Sequence, residues 1–121
     1  MNIKNLQTIQ ISNTLHDVGV PVHLLGYGYL KAAIALVLTD KLYLRAITKR
    51  LYPMIALSNN TTASRVERAI RHSIELAYGR AEYSKEYLKL FRSLADQPTN
   101  AEFIATLVET ITLKNLQEAE L

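Results

Sequence analysis

Between residues 41 and 72 the chain carries Lys41, Arg45, Lys49, Arg50, Arg65, Arg68 and Arg71 against the single carboxylate of Glu67. A guanidinium offers planar, paired donors that match phosphate oxygens and the O6/N7 edge of guanine. Arg65, Arg68 and Arg71 recur every three residues, so on a helix they share one side, with Glu67 one turn before Arg71 and His72 beside it. Glu67 could accept a hydrogen bond from a cytosine amino group or simply hold Arg71 in place. Just upstream, the hydroxyls of Thr61, Thr62 and Ser64 can cap a helix or bond a phosphate, and Ser64-Arg65-Val66-Glu67 has the spacing of a capping box. The chemistry this set serves is binding of a polyanion. A solvated helix face with intrahelical ion pairs would use the same residues.

Other chemistries find little support. The 121 residues include no Cys, so thiolate metal sites, disulfides and cysteine nucleophiles are excluded. His16, His23 and His72 lack the carboxylate spacing of a metal site, and a structural or surface role is expected for each. No glycine-rich phosphate loop, paired carboxylates or nucleophile-and-base pattern is present, so neither catalysis nor a cofactor is expected. The longest unbroken apolar run, Ala32 to Leu38, is far below the roughly 20 residues a membrane helix requires, and no signal core opens the chain. The expectation is a soluble cytoplasmic protein associated with the nucleoid, without a membrane partner. The formal charge of +3 conceals a neutral first third, the basic middle and an acidic end.

The elements that must position the arginines are helical. Apolar residues recur at three and four, and no Asn-Gly or Asp-Gly hairpin dipeptide occurs. A first helix from about Ile3 to Val18 stops at Gly19-Val20-Pro21. A second, about Tyr27 to Thr39, is apolar on nearly all sides in its middle and should lie at the centre of a bundle. A third stretch starts near Lys41 and runs to Pro53, which must end it, kink it or open a new helix. The polar cluster Ser58-Asn59-Asn60-Thr61-Thr62 is a turn. From about Ala63 to Arg80 the helix is amphipathic, with Val66, Ala69, Ile70, Ser73, Ile74, Leu76 and Ala77 inward. A fifth helix spans about Ser84 to Leu94. The last follows the capping box Thr99-Asn100-Ala101-Glu102, with Phe103, Leu107, Ile111 and Leu116 on one side. The reading is one all-α domain of six helices over 1–121, at a length typical of a single domain.

Within it, about 53–80 has helix-turn-helix spacing. A short helix with Ile55 and Ala56 precedes the turn, Asn60 sits where a left-handed residue is needed, and the helix of about 63–80 follows. The run Asn60 to His72, together with Ile47-Thr48-Lys49 and Leu51-Tyr52-Pro53, resembles the C-terminal effector domain of the stage 0 sporulation protein A family. Gly19-Val20-Pro21, Gly26-Tyr27, Tyr29-Leu30, Pro98-Thr99-Asn100 and Glu102-Phe103-Ile104-Ala105 extend the likeness in order across nearly the whole chain.

The resemblance implies a transcription regulator whose fourth helix reads a TGTCGAA-type box in the major groove of double-stranded DNA, commonly as tandem copies bound by two protomers. The positions that match the family's contacts are Arg65, Glu67, Arg68, Arg71 and His72, with Thr61, Thr62 and Ser64 on phosphate and Lys49 as a positioning contact. It also implies contacts between 81–94 and an RNA polymerase sigma factor. Family members usually begin with a phosphoacceptor receiver domain, and none is expected here. Leu57, Ser58 and Asn59 stand where the family tends to have a Lys-Lys pair and Phe. That departure keeps an alternative open, a helical protein-interaction module that modulates a full-length regulator without binding DNA.

Overall fold

The computed structural model describes residues 2–120. Among the described residues the fold is all-α, with six α-helices: α1 Ile3–Asp17, α2 Leu25–Thr39, α3 Tyr52–Ser58, α4 Ala63–Gly79, α5 Lys85–Phe91 and α6 Asn100–Ala119. α1 ends as its sequence predicts. Gly19 takes φ 92°, a conformation that a side chain would strain, and the chain turns through Pro21 into α2. α2 is the central helix, with Leu30, Ala33, Ile34 and Val37 fully buried and contacts to α1, α3, α4 and α6. It begins two residues before the expected Tyr27.

α2 and α4 cross in close contact at Gly26. A Cβ added to Gly26 would overlap the Ala69 carbonyl and the Ser73 hydroxyl, so the α2 backbone lies directly on α4. Ser73 is fully buried and satisfies its hydroxyl by donating to the Ala69 carbonyl at 3.1 Å.

The stretch from Lys41 to Leu51 is not the expected α-helix. It is a 3₁₀ turn over Lys41–Arg45, a break at Ala46 and a π turn over Ile47–Leu51 in which Leu51 N donates to Ala46 O at 3.1 Å. Pro53 has no N–H to continue an α-ladder from this stretch, and it lies in the first turn of α3, the new-helix outcome among those the sequence allowed. Two further helices depart from expectation. α5 ends at Phe91 because Arg92 takes the left-handed conformation (φ 59°), leaving Leu94 in a loop. α6 buries Phe103, Leu107 and Ile111 but runs on past the core, so Leu116 is exposed. Leu76 of α4 and Ile3, Leu6 and Ile9 of α1 are likewise exposed.

An aromatic chain ties α5 to α6, with ring centroids 4.5 Å apart for Tyr87–Phe91 and 5.2 Å for Phe91–Phe103. The Tyr87 hydroxyl is buried with no hydrogen-bond partner among the described residues. Burial, with a smaller contribution from Tyr78, pushes its pKa up to about 12.

Two stability measurements check this packing by urea denaturation. Gly26→Ala should lose about 1–3 kcal/mol, because neither the Ala69 carbonyl nor the enclosed Ser73 can move aside freely. Tyr87→Phe should gain about 1 kcal/mol, since it removes a buried hydroxyl that has no partner and keeps the ring stack.

Candidate nucleic-acid interface

α3, the turn at 59–62 and α4 follow one another as helix, tight turn and helix. Ile55 and Ala56 of α3 are buried, and α3 packs on α4. Asn60 adopts φ 51°, the left-handed state expected of it. Thr61 N donates to the Ala56 carbonyl at 3.0 Å, and the Asn59 side-chain amide donates to the Ile55 carbonyl at 2.8 Å. The Ile55 and Ala56 carbonyls of the last turn of α3 are thus satisfied by the turn residues.

Thr62 is the N-cap of α4, its hydroxyl accepting from Arg65 N at 3.3 Å. This corrects the capping box read at Ser64. Ser64 is already the second residue of the helix and is exposed, and Thr61 is half-buried in the turn without capping. The cap falls at Thr62 because Thr62 is the last residue with extended backbone (φ −113°, ψ 155°) before the helical run.

From this start, α4 divides into two faces. Val66, Ile70, Ser73, Ile74 and Ala77 are buried, whereas Ser64, Arg65, Arg68, Arg71, His72 and Glu75 are exposed. Arg65, Arg68, Arg71 and His72 line a single shallow depression along the outer face. Glu67 lies at the border, half-buried, and accepts from the Arg71 guanidinium at 3.0 Å. Of the two roles open to Glu67, the structure displays the holding of Arg71. An exposed pair one turn apart contributes about 0.3–0.5 kcal/mol, less than the roughly 1–3 kcal/mol of a bidentate guanine contact. Arg71 can therefore exchange this partner for a nucleic acid. Arg68 is in no ion pair among the described residues. His72 Nδ1 stands 3.9 Å from Glu75.

Lys49 is exposed in the π turn ahead of α3. Its neighbours Ile47 and Thr48 line a second depression, at the flank of the α4 outer face, with Glu67, Arg71, Gln97 and Thr99, and Lys49 itself is not among the lining residues. Sequence reasoning did not foresee what closes that flank. Asn100 at the start of α6 donates to the Tyr52 hydroxyl at 2.9 Å and to the Glu67 carbonyl at 3.2 Å. The box Thr99-x-x-Glu102 marks where α6 begins, and both of its reciprocal bonds form, but it says nothing of which helices meet there. Hydrogen bonds from Thr99 hold the Glu102 carboxyl below its usual range. Burial raises the Tyr52 pKa against the opposing Asn100 bond.

The profile of the family described as sporulation initiation factor Spo0A C terminal matches residues 11–111 of this chain. The chain belongs to that family. The Spo0A C-terminal family is a DNA-binding sporulation effector domain that binds double-stranded DNA, so this chain is a DNA-binding transcription regulator in general terms. The family match spans both helices of the charged unit and the α6 start that braces it. Among the described residues no cluster of His, Cys, Asp or Glu could hold a metal ion, and no helix is long and apolar enough to cross a membrane.

The two hydroxyls can be told apart by stability. Thr62→Ala should cost about 1 kcal/mol through loss of the cap. Ser64→Ala should stay within about 0.5 kcal/mol of the wild type in the same urea titration.

Proposed function

We propose that α3, the turn and α4 act as a helix-turn-helix within a single domain, with α4 entering the major groove of a TGTCGAA-type box. The observation that carries this reading is the row Arg65, Arg68 and Arg71 on the outer face of a helix whose opposite face is buried through Val66, Ile70, Ser73, Ile74 and Ala77, so the row cannot turn away from a ligand. Arg68 and Arg71 read base edges, and Glu67 sets the Arg71 side chain before contact. Lys49, Arg65, His72, Ser64 and the turn residues Thr61 and Thr62 position the sugar-phosphate backbone. Two protomers occupy tandem boxes, and the exposed Tyr83, Leu88 and Leu94 offer contacts to a sigma factor through 81–94.

A second reading rests on α3. Leu57 is 81% exposed, so it does not fill the core in place of the family's Phe, and with the exposed Met54 it makes the outer side of α3 apolar rather than cationic. Such a face suits a protein partner, as in a module that pairs with a full-length regulator and does not bind DNA.

Fluorescence anisotropy on tandem-box and scrambled duplexes over a salt series separates these readings. Wild type should prefer the box. Arg68→Ala should lose about 1–3 kcal/mol on the box and little on the scrambled duplex. Lys49→Ala should weaken both alike and lower the salt slope by about one. Equal wild-type binding to both duplexes would overturn the specific reading, and co-purification with a full-length regulator in the absence of DNA would support the second.

A further inference from the structure

Asn100 lies outside α4, yet it touches both helices of the charged unit. One amide nitrogen reaches the Tyr52 hydroxyl, on the first residue of α3, and the Glu67 carbonyl within α4, at 2.9 and 3.2 Å. A peptide carbonyl only accepts, so the atom facing Glu67 must be the donating Nδ2 and the amide orientation follows from the network. Asn100 is itself held. It opens α6 directly after the Thr99 N-cap, whose hydroxyl accepts from Glu102 N at 3.1 Å while the Glu102 carboxylate accepts from Thr99 N at 2.9 Å. Behind it, α6 is anchored by the fully buried Phe103 and Ile104.

The turn of α4 that Asn100 grips is the turn that arms the outer face. Glu67 gives its main-chain carbonyl to Asn100 and its carboxylate to Arg71, at 3.0 Å. Tyr52 is nearly buried, so the other end of the clamp is fixed to the core. On the opposite side α4 rests on Gly26 through Ala69 and Ser73, a contact that sets its depth but consists of smooth backbone and small atoms. The buried face of α4 sets its coarse rotation, and a directional hydrogen bond on the Glu67 carbonyl adds a finer angular restraint.

We propose that Asn100 is a positioning residue for sequence reading, clamping α4 to α3 and α6 so that Arg68 and Arg71 meet base edges at a fixed angle. This rests on the reading of α4 given above. Bidentate guanine contacts depend on angle, whereas phosphate contacts by flexible cations do not. Loss of the clamp therefore lowers discrimination between sequences and leaves nonspecific binding intact.

The test compares affinities for tandem-box and scrambled duplexes in wild type, Asn100→Ala, Tyr52→Phe and Ile11→Val, each with its melting temperature and salt slope. Ile11→Val trims the core at α1, remote from the clamp, and controls for stability loss. Tyr52→Phe keeps the ring and removes one acceptor, which tests the clamp even if Asn100→Ala does not fold. Expected is a fall of about tenfold in the box-to-scrambled ratio for Asn100→Ala, the scale of one misaligned bidentate contact. Tyr52→Phe should show a smaller fall, Ile11→Val none, and all four an unchanged salt slope. A wild-type ratio well above one that both clamp variants retain would overturn the clamp alone, and so would a ratio in Ile11→Val that falls as far as theirs. A wild-type ratio of one would overturn the reading of α4 and the clamp with it.

Discussion

The contact on which the architecture depends is the absence of a side chain at Gly26. Because nothing projects from that position, the backbone of α2 can lie against the Ala69 carbonyl and the buried Ser73 of α4. α2 also touches α1, α3 and α6, so a helix seated on it is held by the whole bundle. Close approach on one side compels α4 to face its other side outward. The arginines need no attractive interaction to hold them there. They are exposed because the inner face is spoken for by Val66, Ile70, Ser73, Ile74 and Ala77.

Around this contact the remaining devices each constrain a different freedom. Asn60 in the left-handed conformation and the bond from Thr61 N to the Ala56 carbonyl set the bend between α3 and α4. The Thr62 cap sets where α4 begins, and with it which residues fall on the first outward turn. Asn100 reaches both helices from α6. The π turn at Ile47–Leu51 lets the chain arrive at Pro53 without an α-ladder that proline could not continue. It leaves Lys49 exposed ahead of α3.

Charge follows the same economy. The arginines of α4 sit against little negative charge, with Glu67 as the border residue and Glu75 a turn beyond. An exposed ion pair is weak enough to be exchanged for a phosphate or a base, so the unbound face is ordered without being neutralised. The outer side of α3 differs, presenting Met54 and Leu57 to solvent. Across the turn at 59–62, α4 thus offers cations and α3 an apolar surface.

Much of this was legible in the residues alone. Helical periodicity, Gly19 with Pro21, the Thr99 to Glu102 box and Asn60 are local signals, and α1, α2, α4, the α6 start and the left-handed turn residue stand close to where those signals put them. The two faces of α4 were equally plain, because burial on a helix follows a period that sequence records directly. Tertiary structure decided what depends on competition between neighbours. Ser64 and Thr62 both fit a cap, and only the path of the chain leaving α3 chose Thr62. Lys41 to Leu51 has helical periodicity, yet Pro53 and the packing of Tyr43 and Leu51 divide it into a 3₁₀ and a π turn. Leu116 continues the apolar side of α6 in sequence but extends beyond anything it could pack on. The reach of Asn100 to Tyr52 and Glu67 joins residues 48 and 33 positions apart, and no local pattern encodes a bond of that span.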